Sequence, residues 1–225
     1  MAEDFIAYLE GFVSEDRKAL FKEVLNNRTR HFTIVLEDLF QKHNVSAVIR
    51  SADVFGVQDV HVIENNYNNF ISRRVAKGAQ KWMTFHNFSK VGADNTQACI
   101  DRLKEEGYQI VVTSPHAKAS NLKEFDVSKK SAFVLGVEKM GVSKQMMDQA
   151  DAYLKIPMYG FTESLNVSVA GAIILEEMTN RVRKTAVNWN LSEEEHQDLY
   201  MKWLKTSIKS YPEIERRFLE QNSTS

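Results

Sequence analysis

The sequence predicts an α/β protein: a parallel sheet with helices on both faces. Three observations lead there. Short apolar runs rich in branched residues, among them HFTIVLED (31–38), VQDVHVIE (57–64) and YQIVVTSP (108–115), alternate with segments of helical period. The first two runs enclose KHNVSAVIRSADVFGV, a helix long enough to serve as the right-handed crossover of a parallel pair. A chain of 225 residues, 43% hydrophobic and 26% charged, is also large enough to bury such a core.

The elements follow in order. Phe5, Tyr8, Leu9 and Phe12, then Leu20, Phe21, Val24 and Leu25, recur at helical spacing, so residues 4–26 read as one helix ended by Asn26 and Asn27. After the strand at 31–38, Asn44 is a suitable N-cap. Val45, Val48, Ile49, Ala52 and Phe55 mark one helical face, and Gly56 stands where a C′ glycine belongs. The segment NNYNNFISRRVAKGAQKW is polar and then basic, and reads as a loop with one helical turn. MTFHNF (83–88) alternates weakly as a strand, NTQACIDRLKEEG (95–107) is a helix closed by Gly107, and Pro115 stops the strand begun at Tyr108. SAFVLG (131–136) is a strand, SKQMMDQA (143–150) a short helix capped by Ser143, and AYLKIPM (152–158) the last strand. A helix then runs to about Arg183, with two more near 192–209 and 212–220.

Composition excludes several classes. The net charge of −1 gives no global basic excess, so any nucleic-acid contact must rest on local clusters. Those are Arg28 with Arg30; Arg73, Arg74, Lys77 and Lys81; and Arg181, Arg183 and Lys184. By residue type alone each is equally a solvated face. The single cysteine, Cys99, rules out an internal disulfide and reads as a buried small hydrophobe. The acidic start MAEDFIAYLE lacks an apolar signal region and no run is long enough to span a membrane, which predicts a cytoplasmic protein. GVEKMGVS has the glycine spacing of a phosphate loop, but Val142 occupies the lysine position. The six histidines show no metal-ligand spacing, and Gly-x-Gly-x-x-Gly and Gly-x-Ser-x-Gly are both missing, so no metal centre is expected.

Ligands of parallel sheets bind at the carboxyl ends of strands. Three such ends carry unusual residues: Thr113-Ser114-Pro115, Gly136 to Gly141, and Ile156 to Gly160, the last followed by Ser164-Leu165-Asn166. Together with Asn44, Arg50 and Glu138 they suggest a cleft of backbone amides and few polar side chains. Simpler roles stand beside this. Arg50 can snorkel from its helix, Asn166 can act only as an N-cap, and Glu138 can be a helix-start carboxylate.

NVSAVIRSADVFGV (44–57), LGVEKMGVS (135–143) and IPMYGFTESLNVSVAGAIIL (156–175) resemble, in order and spacing, the three motifs of the SpoU-type RNA 2′-O-ribose methyltransferases of the SPOUT superfamily. The resemblance covers residues 31 to about 184, and RTRHFTIVLEDLFQKHN is most similar to the members that methylate the tRNA D-loop guanosine. It implies a C-terminal trefoil knot in a methyltransferase domain at 31–184, with helical extensions at 1–30 and 185–225. It further implies S-adenosyl-L-methionine as cofactor, tRNA as substrate and a homodimer with each site near the subunit interface.

By position in the motifs, the resemblance gives catalytic work to Arg50, Asn44, Glu138, Ser164 and Asn166. It gives cofactor contacts to Thr113, Gly136, Ile156, Met158 and Leu165. We expect RNA contacts from Arg28, Arg30, Arg73, Arg74, Lys81 and Lys184. Met178, Trp189, Tyr200 and Trp203 serve either the dimer contact or the core. Besides a cytidine- or uridine-directed tRNA relative, two alternatives stay open. One is an rRNA 2′-O-methyltransferase, whose members usually carry a separate N-terminal RNA-binding domain. The other is a non-catalytic RNA-binding module, against which the intact Arg50, Glu138 and Asn166 argue.

Overall fold

The computed structural model describes residues 2–66, 78–114, 119–137 and 140–222. In chain order the elements are α1 (Ala2–Glu10), α2 (Glu15–Leu25), β1 (Phe32–Glu37), α3 (Lys42–Val54), β2 (Asp59–Ile63), a 3₁₀ turn (Ala79–Lys81), β3 (Thr84–Phe88), α4 (Asn95–Glu105), β4 (Gln109–Thr113), β5 (Ser120–Asn121), β6 (Ser131–Leu135), α5 (Lys144–Asp148), β7 (Ala152–Lys155), α6 (Val167–Val182), α7 (Glu193–Ser207) and α8 (Tyr211–Asn222). They form two compact units, residues 29–189 and residues 1–28 with 190–225.

In the larger unit all seven strands are parallel, in the order β3-β2-β1-β6-β4-β7-β5. β1, β2 and β6 are buried along their whole length, which is why they read as continuous apolar runs rather than alternating ones. The pleat of β1 separates two cores. Ile34 and Leu36 join Val48 and Ile49 of α3 and Ile174 and Met178 of α6. Val35 joins Ile100 and Leu103 of α4 and Met146 of α5. At Gly171 on α6 a Cβ would stand 2.9 Å from Leu135 Cδ1 and 3.6 Å from Val48, so the glycine lets α6 lie close to β6 and α3.

The helical unit is built on aromatic contacts. Phe21 meets Trp203 edge-on at 5.6 Å and Phe5 lies 4.8 Å from Phe218. Ser192 and Glu195 form a full capping box at the start of α7. Met178, Tyr200 and Trp203 are core residues, and Trp189 is half-buried beneath the Arg183 guanidinium at 5.1 Å.

Three sequence expectations need correction. Residues 4–26 are two helices, broken at Gly11–Ser14, where Phe12 is exposed and Ser14 opens a new first turn carrying Glu15 and Asp16. α3 begins at Lys42, with Gln41 as its N-cap, so Asn44 lies inside the first turn and does not cap it. The helix read at 95–107 stands: α4 begins at Asn95, capped by Asp94, whose carboxylate accepts the Gln97 N–H at 2.9 Å, and Gly107 closes it at φ 80° with its N–H on the Lys104 carbonyl. β5 escaped the reading because two residues carry no periodicity.

A histidine pair, His61 buried and His86 half-buried, crosses β2 and β3. His61 stacks on His86 with ring centroids 4.5 Å apart, and His86 Nε2 meets the Asp59 carboxylate at 3.3 Å, which also accepts Arg30 Nε at 2.9 Å. Burial favours raising the Asp59 pKa, but the His86 hydrogen bond and the Arg30 charge outweigh it and hold it below its ordinary value. Thr33 gives its hydroxyl proton to the Asp59 carbonyl, so His61 donates through Nδ1 to Thr33 Oγ1 at 3.1 Å, while its buried Nε2 finds no hydrogen-bond partner among the described residues. Burial first, and the neighbouring His86 second, push His61 down to about 3. The unfolded chain therefore binds a proton that the folded chain refuses below the ordinary histidine pKa of about 6.5. Stability contributed by neutral His61 is full above that value and is lost as pH falls toward 3, by about 1.4 kcal/mol per pH unit inside the window. We expect His61→Phe to lose about 1 kcal/mol less per unit than wild type in denaturant melts from pH 7.5 to 4.5; parallel profiles would contradict it.

Candidate active site at the carboxyl edge of the sheet

Three parallel strands, β4, β6 and β7, end beside one another, and the chain beyond each walls a cleft of about 370 Å³. From β4 come Thr113 and Ser114; from β6, Leu135 to Val137 and Met140 to Val142; from β7, Ile156, Met158 and Glu163 to Leu165; Val167 and Ala170 of α6 close it. All five positions expected to hold a cofactor, Thr113, Gly136, Ile156, Met158 and Leu165, line this one cleft, and so does Ser164. A largely apolar wall with a few polar groups suits a medium-sized ligand.

The wall after β6 is a tight hairpin. Val137 and Gly141 exchange backbone hydrogen bonds at 3.0 and 2.7 Å, and Gly141 adopts φ 70°, a left-handed turn that favours glycine. A Cβ on Gly136 would fall 2.3 Å from the Gly141 carbonyl oxygen and 2.5 Å from Val142 N, both backbone atoms that cannot step aside. Thr113 donates its hydroxyl to the Val134 carbonyl at 3.2 Å, fastening the floor of the cleft to β6.

The stretch after β7 is exposed from Pro157 to Asn166 and then enters α6. Asn166 answers both readings of it. Its Oδ1 caps α6 by accepting the Ser168 N–H at 2.9 Å, and its Nδ2 donates to Asn44 Oδ1 at 3.2 Å. Asn44 in turn donates to Gln41 Oε1 at 2.8 Å. The first and third motifs, 122 residues apart in sequence, thus meet through two carboxamides.

Arg50 is exposed on α3 and does not line the cleft of its own chain. Glu138, Arg73 and Arg74 lie outside the described residues. Of the expected RNA contacts, Lys81 and Lys184 are exposed. Two others need correction. Arg28 is 2% exposed with its guanidinium 5.5 Å from the Trp203 ring, and Arg30 spends its Nε on buried Asp59. This pair was indistinguishable from surface charge by residue type, because its aromatic and acidic partners are distant in sequence. Arg181 is likewise structural, donating to the carbonyls of Leu122 and Phe125.

Sequence reasoning named no role for Ser114, Met140, Val142 or Glu163, which also line the cleft. Their nearness to the three strand ends was the available signal. Among the described residues, no group of histidine, cysteine and acidic side chains suits a metal ion, and no helix is long and apolar enough to cross a membrane. Burial pushes the Cys99 thiol up to about 12, leaving it an inert core group.

The fold and its motif-lined cleft agree with the comparison to known families. Residues 31–176 match the SpoU rRNA Methylase family, and the chain belongs to it. Its similar proteins include several tRNA (guanosine(18)-2′-O)-methyltransferases. The tRNA (guanosine(18)-2′-O)-methyltransferase of Borreliella burgdorferi is 40% identical over 210 residues, 93% of this chain and 94% of that one. The enzyme of the same name from Thermus thermophilus is 33% identical over 85% of this chain and 97% of its own. Among solved structures, a TrmH/SpoU tRNA modifying enzyme of A. aeolicus superposes with a TM-score of 0.72 at 33% identity, over 84% of this chain and 95% of that chain.

The hairpin yields a direct test. Gly136→Ala must push backbone against backbone at a site with no flexible neighbour, which costs about 1–3 kcal/mol. Thermal melting should show that loss; an unchanged midpoint would mean the hairpin is not closed over Gly136 as described.

Proposed function

We propose that this protein is an S-adenosylmethionine-dependent 2′-O-ribose methyltransferase of tRNA, acting on guanosine 18 of the D-loop. The observation that carries the reading is the pairing of a 40% identity, spread over 93% of the chain, with a single cleft lined by every residue expected to hold the methyl donor. The likeness runs the length of relatives that are named for this reaction, which favours tRNA over ribosomal RNA. Such a protein works where tRNA matures, in the cytoplasm. The catalytic domain spans 31–184, with helical extensions on either side.

Bound in the cleft, the cofactor supplies an electrophilic methyl on a sulfonium centre. The residues of this chain do the rest. The hairpin after β6 and the stretch from Ile156 to Leu165 hold it, largely through backbone groups and apolar side chains. Leu165 covers the adenine, and Ser164 and Glu138 order the polar side of the site. Asn44 and Asn166, already bonded to each other, orient the ribose at the mouth of α6. Arg50 holds the 2′-oxygen and stabilises its developing negative charge; an always-protonated guanidinium does this without acting as the base, and an RNA phosphate takes the proton.

Arg50 stands on the exposed side of α3, away from the cleft lining of its own chain. That position suits a homodimer in which each subunit offers its Arg50 to the other's cleft. The late insertion of β6 between β1 and β4, and of β7 between β4 and β5, suits the trefoil knot of this superfamily.

Charge divides between the two units. The helical unit holds 9 Lys and Arg against 13 Asp and Glu, and residues 29–189 hold 20 against 17. We therefore assign phosphate binding to the α/β unit, with Lys81, Lys184, Arg73 and Arg74 as the contacts, rather than to the helical extensions.

Three outcomes follow. Purified protein given labelled S-adenosylmethionine and tRNA should methylate one D-loop ribose, and transfer to rRNA alone would overturn the substrate assignment. Arg50→Ala should lower turnover by about 10²-fold or more while sparing cofactor affinity, and Leu165→Asp should abolish cofactor binding by setting a charge against an apolar ligand. Mixing those two inactive variants as heterodimers should restore activity, because one cleft then meets an intact Arg50 from its neighbour; silence in the mixture would place Arg50 with its own chain's cleft.

A further inference from the structure

Glu37 is the last residue of β1 and 3% exposed, and it does not line the cleft. A buried carboxylate is costly unless its oxygens are used. Here they are. Oε2 accepts the Ser143 backbone N–H at 2.8 Å, and Oε1 accepts the hydroxyls of Ser143 at 2.7 Å and Thr96 at 3.2 Å. Because Ser143 gives its proton to Glu37, its oxygen is left free to accept the Met146 N–H at 3.1 Å and begin α5. The carboxylate therefore sets both the position of Ser143 and the direction of its hydroxyl.

Ser143 is the residue immediately after the cleft wall. Met140, Gly141 and Val142 line the cavity; Val137 and Gly141 pair beside Gly136, and Val142 packs against the core that holds Met146. Ser143 is where this wall leaves the cleft, so bonding it to the end of β1 fixes the wall on that side. Charge-assisted bonds are about twice as strong as neutral ones, which suits a carboxylate to that task.

We infer that Glu37 is a positioning residue for cofactor binding, holding the outgoing end of the cleft wall in its binding-competent place through Ser143. The inference rests on the reading of the cleft as the methyl-donor site. Glu37→Gln keeps the shape but replaces one acceptor oxygen with a donor, so one of the two Ser143 bonds is lost. Calorimetric titration with S-adenosylmethionine should show about tenfold weaker binding. Steady-state kinetics should show the KM for cofactor raised by a similar factor, with kcat at saturating cofactor and the KM for tRNA within about twofold of wild type. Ser143→Ala, at an exposed position that tolerates truncation, should weaken binding by about threefold. Adding Ser143→Ala to Glu37→Gln should then cost less than it does alone, since the two act as one contact.

Equal cofactor affinity in wild type and in both variants would overturn the inference while leaving the cleft assignment in place. A fall in kcat with unchanged cofactor KM, or fully additive losses in the double variant, would also overturn it. A wild-type protein that binds no S-adenosylmethionine would overturn the cleft assignment itself, and the inference with it.

Discussion

Seven parallel strands impose one constraint from which the site follows: every strand releases its chain at the same edge of the sheet. Backbone groups freed from the ladder therefore gather on that edge and must be satisfied by loops, caps or a ligand. Around β1 and β6 the loops take that burden through specific polar contacts. Consecutive acids at the end of β1 work in different directions. Glu37 reaches Ser143 beyond β6, and Asp38, held at φ 51°, accepts the backbone N–H groups of Asn65 and Asn66 beyond β2. A left-handed conformation is unusual for a residue other than glycine, and here three hydrogen bonds to one carboxylate hold it. The central strand thus organises loops on both sides of the edge where the proposed chemistry occurs.

Much of this was legible in the sequence because it obeys local rules. Continuous apolar runs declared buried parallel strands, Gly56 closed α3 with φ 81°, and Ser143 capped α5. The cleft-lining positions were legible through the second and third motifs, which hold Gly136, Ile156, Met158 and Leu165, and through the strand end at Thr113. What failed depended on partners remote in sequence. Arg28 looked like surface charge until Trp203 was found against it, and Asn44 looked like a cap until Asn166 was found bonded to it. Glu37 gave no signal at all, because a carboxylate at a strand end reveals its role only once Ser143 arrives from 106 residues away.

The polar contacts of the site also differ in kind. The Asn44–Asn166 pair is neutral and joins two helices already packed through Val48 and Gly171, so it refines an arrangement that packing has set. The Glu37–Ser143 pair is charged and joins a strand end to the residue that follows the cleft wall, so it sets where that wall leaves the cleft. His61 illustrates the opposite economy: a titratable group buried neutral, with one nitrogen unmatched among the described residues, fixes a pH window for stability far from the cleft.

The account centres on a methyl donor lodged between the hairpin after β6 and the stretch after β7. Hydrogen–deuterium exchange with and without S-adenosylhomocysteine examines this most directly, since backbone amides are proposed to supply much of the binding. Slowed exchange confined to residues 136–143 and 156–167 is the predicted result. Protection elsewhere, for instance at residues 89–95 beyond β3, with these two segments unaffected, would contradict it.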